Sequence, residues 1–175
     1  KIGLGSIGKR YAIGCAVRKL REYGITDGLV LTGGDLQAMG SKFGRPWMVG
    51  VKNPRGDDVL YEFPVSPGET VSTSGDYERC QIVNGRRYHH IMDPRTGYPA
   101  ETFASVTVIT DIPENADGLS TALFVSGKSS FRQLLSLYPS TYVIIIDLDM
   151  RVYASKELKA KLKPSSDNSP KIEWI

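Results

Sequence analysis

Apolar residues recur at helical spacing in the first stretch of the chain. From Ser6 to Tyr23, Ile7, Tyr11 and Cys15 and the series Ala12, Ala16, Leu20 fall on adjoining faces, with Arg10, Arg18, Lys19 and Arg21 outside them. This spacing predicts a helix capped at its start by Ser6 and ended by Gly24. The pattern then breaks into short runs. Leu29 to Thr32 reads as a strand, Gly33-Gly34-Asp35 as a turn and Trp47 to Val51 as a second strand; Asn53 to Asp57 reads as a turn and Val59 to Phe63 as a third strand.

Tyr77 to Val83 and Arg86 to Ile91 flank Asn84-Gly85, a hairpin signal because both central residues must accept positive φ. Ala104 to Thr110, rich in Val and Thr, is expected to pair nearby. Pro113 and Glu114 open a helix that carries Leu119, Leu123 and Phe124 and stops at Gly127, and Ser130 to Tyr138 gives another. Thr141 to Leu148 is a nearly continuous apolar strand, buried on both faces. A turn at Asp149, a terminal helix from Ser155 to Leu162 and a mobile tail from Lys163 to Asp167 complete the reading. The sum is an α+β fold, an antiparallel-rich sheet meander covered by helices rather than an alternating βαβ array.

With 175 residues and 41% hydrophobic content, one domain is expected, running over 3–162 with a C-terminal tail over 163–175. The mix of 23% charged and 9% aromatic residues argues against wholesale disorder. The formal net charge of +3 comes from local clusters, Arg18, Lys19 and Arg21, then Lys156, Lys159, Lys161 and Lys163. These read as solvated helix faces, not as a nucleic-acid stripe, although an anionic ligand would be welcome. Cys15 and Cys80 lack metal-ligand spacing and read as buried free thiols, which leaves the compartment open. No apolar run reaches membrane-spanning length, and the start at Lys1-Ile2, without initiator Met or leader, reads as a cut edge.

Four segments carry candidate chemistry. Gly3-Leu4-Gly5-Ser6-Ile7-Gly8 matches the G-x-G-x-x-G pattern, but no strand precedes it as a dinucleotide-binding fold requires. Its physical content survives: glycines before a helix let backbone amides approach an anion, and Lys9 adds charge in the first turn. Thr73-Ser74-Gly75-Asp76-Tyr77 reads as a polar turn feeding a strand. His89-His90-Ile91-Met92-Asp93-Pro94-Arg95-Thr96-Gly97 holds both histidines of the chain, and adjacent strand residues point to opposite faces, so one of the two is the functional candidate. A near-neutral imidazole could take a proton from an attacking hydroxyl, with Asp93 or Arg95 orienting phosphate or imidazole. In Asp117-Gly118-Leu119-Ser120-Thr121, Asp117 and Thr121 form an i, i+4 pair whose oxygens suit magnesium.

In this order, and with Leu31-Thr32-Gly33-Gly34-Asp35-Leu36, Pro46-Trp47, Asn53-Pro54-Arg55-Gly56 and Tyr88 through Pro99 between them, the segments resemble the ApbE family of flavin transferases, from about Gly3 to Val125. The resemblance implies magnesium-dependent transfer of FMN from FAD, as substrate, to a Ser/Thr hydroxyl of an acceptor protein, with release of AMP. It implies metal binding by Asp117, Thr121, Ser120 and the Ser6 carbonyl, and proton abstraction by His90. It implies FAD contacts from Gly3, Lys9, Gly34, Asp35, Ser74, Gly75, Asp76, Met92 and Arg95.

Gly3 stands where the family often has Asp, Gly8 where it often has Ala and Arg10 where Gly is frequent; Ser120 stands where Asp is frequent, which implies a weaker metal site or the absence of a second metal. The family pattern also implies a preceding segment, or another chain, that completes the flavin pocket. The resemblance suggests a bacterial periplasmic location or the outer face of the inner membrane, which this chain's own residues do not specify. FAD pyrophosphatase action at the same site and a non-catalytic flavin-binding module are the alternatives to transfer.

Overall fold

The computed structural model describes residues 5–116 and 118–175, without the side chains of 5–7 and 114. Helix α1 (Gly5–Glu22) comes first, so Ser6 lies inside the helix rather than ahead of it. Gly24 ends it as expected: Gly24 N–H donates to the Arg21 carbonyl at 2.9 Å and Ile25 N–H to the Leu20 carbonyl at 3.0 Å. The strands are β1 (Gly28–Thr32), β2 (Asp35–Met39), β3 (Trp47–Lys52), β4 (Val59–Val65), β5 (Thr70–Gly75), β6 (Cys80–Val83), β7 (Arg86–His89) and β8 (Phe103–Thr110). Helices α2 (Pro113–Ala116) and α3 (Leu119–Ser136) follow, then β9 (Thr141–Asp147), β10 (Val152–Ala154), a 3₁₀ turn at Lys156–Leu158, β11 (Lys163–Pro164) and β12 (Ile172–Trp174).

A seven-stranded sheet in the order β1-β2-β5-β8-β9-β10-β12 is the centre of the molecule, with a three-stranded sheet β11-β4-β3 and the hairpin β6-β7 beside it. Pairing is antiparallel except between β10 and β12. Period-two alternation assigns the faces. On β9, Ile144 and Ile146 join Phe63, Val65 and Leu158 against the three-stranded sheet. Val143 and Ile145 join Leu123, Phe124 and Phe131 under α3. Helix α1 rests on the helical side through Ile13 and Val17 against Met39. Among the described residues no helix is long and apolar enough to cross a membrane.

Several expectations are corrected. Strand β2 and most of β5 are absent from the sequence reading, and Thr73-Ser74-Gly75, read as a turn, is the end of buried β5. Its inward positions are Thr70, Ser72 and Ser74, hydroxyls where a strand signal looks for apolar groups. The terminal helix is only a 3₁₀ turn, since Leu158 and Leu162 alone bury there and Pro164 already lies in a strand. The tail is not mobile: Lys163 and Pro164 pair with Glu62 and Tyr61, and Ile172 to Trp174 run parallel to β10. Cys15 and Cys80 are free thiols, half-buried rather than buried. The break expected at Gly127 is present, as a non-helical φ of 74° and ψ of 176° between two helical stretches of α3.

Asp147 closes the β9–β10 turn and yields a stability prediction. It is 1% exposed and accepts the N–H groups of Asp149 and Arg151, each at 3.0 Å, with Lys128 Nζ at 2.6 Å. Burial alone would raise its pKa, but Lys128 and the backbone donors outweigh burial and hold it below the ordinary 3.8. A carboxylate with a depressed folded pKa adds stability that is present above 3.8 and is lost as pH falls through the folded value. Asp147→Ala leaves two backbone donors unpaired and is expected to cost about 2–3 kcal/mol in urea denaturation at neutral pH.

Candidate active site

The helical side of the large sheet carries a polar floor between β2, β5 and the start of α3. Asp35 stands opposite Ser72 in register, and the Ser72 hydroxyl donates to the Asp35 carboxylate. Ser120 Oγ lies 3.1 Å from Ser72 Oγ and 3.0 Å from Ser74 Oγ, and Thr121 Oγ1 lies 3.0 Å from Ser74 Oγ. Asp35, Ser72, Ser74 and Ser120 are buried, whereas Thr121 is exposed at the open rim. Buried polar groups persist only when paired, and this row pairs them with one another.

Lys9 reaches the floor from α1. Its Nζ is 2.5 Å from Asp35 Oδ2, in ion contact, and donates to the Gly33 carbonyl at 3.2 Å. An ammonium has three N–H donors, so one remains for an incoming anion. Gly34 turns the chain between β1 and β2 at φ 88°, and a Cβ there would lie 3.3 Å from the Thr73 carbonyl, a spacing that glycine suits. On the opposite face, Gly34 and Asp35 border a cleft of about 330 Å³ whose apolar walls include Leu29, Leu31, Met48 and Val49.

The hairpin resolves the two histidines. His89 is 7% exposed, with Nε2 at 3.0 Å from the Ala100 carbonyl and Nδ1 accepting the Ile91 N–H at 3.3 Å. His90 is exposed at the next position. Its pKa is lowered below 6.5, chiefly by partial desolvation of the ring and then by the charge of Arg79, with smaller pushes from His89 and Lys9; a backbone hydrogen bond at Arg79 opposes them. The lowered pKa favours the neutral imidazole at pH 7.

Other expected residues are placed differently. Asp76 is 2% exposed and takes both guanidinium nitrogens of Arg55 at 2.7 Å, with Arg87 Nε at 3.9 Å, so its carboxylate fastens the β3–β4 turn to the end of β5, where Gly75 sits. Arg95 is bound to Asp93 at 2.7 Å and donates to the Val125 carbonyl at 3.2 Å, tying the 92–99 loop to α3. Met92 is exposed in that loop and bridges to Pro99. Gly3 and Asp117 lie outside the described residues, as does the Ser6 side chain. Gly118 has φ 78° and α3 begins at Leu119, which places Thr121 in its first turn.

Magnesium fits the chemistry of this donor set. Ser74, Ser120 and Thr121 supply hard hydroxyl oxygens of the kind magnesium accepts, and among the described residues no three His, Cys, Asp or Glu side chains gather. Thr121 is the accessible donor; Ser120 Oγ is already engaged by two hydroxyls. Sequence reasoning missed Ser72, Arg79 and the Arg55–Asp76 pair. For Ser72 a signal existed in the period-two polar run Thr70, Ser72, Ser74.

A mixed α+β fold with a Lys9–Asp35 contact, a hydroxyl floor and a hairpin histidine defines a class. The sequence model of the ApbE family matches residues 1–145, and the chain belongs to that family. It is similar to the FAD:protein FMN transferase of Treponema pallidum, 36% identical over 166 residues, covering 89% of this chain and 46% of that protein. With the FAD:protein FMN transferase of Rhodobacter capsulatus it is 32% identical over 170 residues, covering 97% of this chain and 32% of that protein. The crystal structure of the ApbE protein from Thermotoga maritima superposes with a TM-score of 0.82 at 42% identity, covering 91% of this chain and 53% of that one. The flavin transferase ApbE from Vibrio cholerae gives 0.76 at 28% identity, covering 91% and 52%. The chain thus spans about a third to a half of these relatives' length.

Proposed function

We propose that this chain carries the catalytic centre of an FAD:protein FMN transferase. The acceptor's Ser or Thr hydroxyl gives its proton to His90 as its oxygen bonds to the FMN phosphorus, and the phosphorus–oxygen bond to AMP breaks. The observation that carries this reading is an exposed His90 directly after a buried, hydrogen-bonded His89, in a chain whose Lys9 ammonium stands at the hydroxyl floor in contact with Asp35. Lys9 holds a phosphate oxygen through its remaining N–H. Magnesium, held by Thr121 with Asp117, Ser120 and the Ser6 carbonyl, supplies Lewis acidity at the pyrophosphate. A preceding segment or another chain completes the flavin pocket.

The test incubates the protein with FAD, magnesium and a Ser/Thr-containing acceptor protein. Transfer gives an acceptor heavier by one FMN phosphoester and one AMP per event; AMP absent in every condition sinks the reading. The exposure of His90 favours a second reading, in which water replaces the acceptor and the products are free FMN and AMP. Mass spectrometry of the acceptor beside chromatography of the small products separates the two.

A further inference from the structure

His89 has no role in the proton transfer, yet its ring is the most fully engaged group near it. Three hydrogen bonds close a ring at the base of the 91–100 loop. Ile91 N–H donates to His89 Nδ1 at 3.3 Å, His89 Nε2 donates to the Ala100 carbonyl at 3.0 Å, and Ala100 N–H donates to the Ile91 carbonyl at 3.0 Å. An amide N–H only donates and a carbonyl only accepts, so these partners assign one neutral tautomer, with the proton on Nε2. His90 lies between His89 and Ile91, two of the three residues this ring joins. The other side of the His89 ring stands edge-on to Phe124, centroids 5.7 Å apart at 81°. Phe124 is fully buried and sits one helical turn beyond Ser120 and Thr121 on α3.

We propose that His89 is a positioning residue: its clamp on Ile91 and Ala100 and its contact with Phe124 fix His90 relative to the hydroxyl-bearing start of α3. A phenylalanine could supply the packing, so packing alone does not call for an imidazole. The paired donor and acceptor do. The inference deepens the transfer reading, on which its kinetic consequence rests, while its structural content can be read without turnover. The charged and titratable groups acting on His90 are Arg79 before β6, His89 on β7 and Lys9 on α1. A displaced ring leaves that field.

The principal test is an NMR titration of the His90 imidazole in the wild-type protein and in His89→Phe, with His90→Ala assigning the signal. His89→Phe keeps the contact with Phe124 and removes both hydrogen bonds. The expected result is a His90 midpoint that moves up toward its ordinary value. In the transfer assay kcat falls about 10- to 100-fold, the scale of a misplacement near 1 Å, with the KM for FAD little changed. His89→Gln, which keeps a donor for Ala100, falls between wild type and His89→Phe in both readings, and His89→Leu takes the place of His89→Phe should that variant not fold. Unchanged midpoints in the folded variants, or equal shifts in the glutamine and apolar variants, which alike lack the push of His89, overturn the proposal, whatever the turnover. A wild-type protein that transfers no FMN sinks the functional reading and leaves the midpoint to decide the positioning role.

Discussion

His90→Ala is expected to lower the rate of FMN transfer by about 10²- to 10⁴-fold, the range that a positioned general base contributes. The side chain is exposed and its hydrogen bond is to the Arg79 backbone, while the buried hydrogen bonds and the ring contact belong to His89, so the substitution should leave folding and FAD affinity within experimental error of wild type. The measurement is single-turnover transfer at saturating FAD, with a fluorescence titration of FAD as control. A variant that retains transfer removes His90 as the base. One that loses transfer together with FAD binding assigns it to binding instead.

The same group sets the pH dependence. A base works in its unprotonated form, and the pKa of His90 lies below the ordinary 6.5 because its ring is partly desolvated and Arg79 is near. The rate should therefore climb with pH through an apparent pKa under 6.5 and be level by neutral pH. Arg79→Ala removes one of the two leading causes, so its acid limb should move up toward 6.5. An acid limb that stays in place in Arg79→Ala would show that some other group governs it.

The elements legible in the sequence are those whose side chains obey one period against an apolar partner. Strands β8 and β9 fall in this group. Helix α1 was legible as a helix but not by its face, since Ile13, Val17 and Arg10 are the buried residues while Tyr11 and Ala12 are exposed, and the hairpin was legible from its Asn84-Gly85 turn alone, with Ile82 and Val83 exposed. Strand β5 was illegible for the opposite reason: Val71 is its one buried apolar side chain, and Ser72 and Ser74 are buried hydroxyls whose partners come from β2 and α3, remote in sequence. The C-terminal strands were hidden because two or three residues carry no period. Lys163 and Pro164 are fixed by β4, a partner about a hundred residues earlier.

For the site, sequence supplied the residue types and folding supplied the assignments. Alternation along a strand requires His89 and His90 to diverge, but only the Ala100 carbonyl and the Ile91 N–H, brought together by the loop, show which ring is taken up by structure. Asp76 and Asp35 look alike in sequence as turn carboxylates after Gly. One is closed off by a bidentate arginine; the other faces a half-exposed lysine with a donor to spare. Arg55 sits in a turn that reads as mere punctuation, and a partner across two sheets leaves no local mark.

Chelation of divalent cations is expected to abolish FMN transfer, and magnesium to restore it. Two non-bridging phosphate charges meet at the bond that breaks, and Lys9, partly neutralised by Asp35 at 2.5 Å, cannot offset both. The donors present are oxygens, with Thr121 Oγ1 at the rim held 3.0 Å from Ser74 Oγ. Thr121→Val should raise the magnesium concentration that half-saturates the rate, and Ser74→Ala, which removes the group orienting Thr121, should weaken metal binding roughly 10- to 100-fold, the scale for an outer partner of a ligand. Manganese binding followed by electron paramagnetic resonance reads the same change without turnover. Transfer at full rate in chelator, with no manganese bound by the wild type, would leave Lys9 as the site's cation and remove Thr121 from the list of ligands.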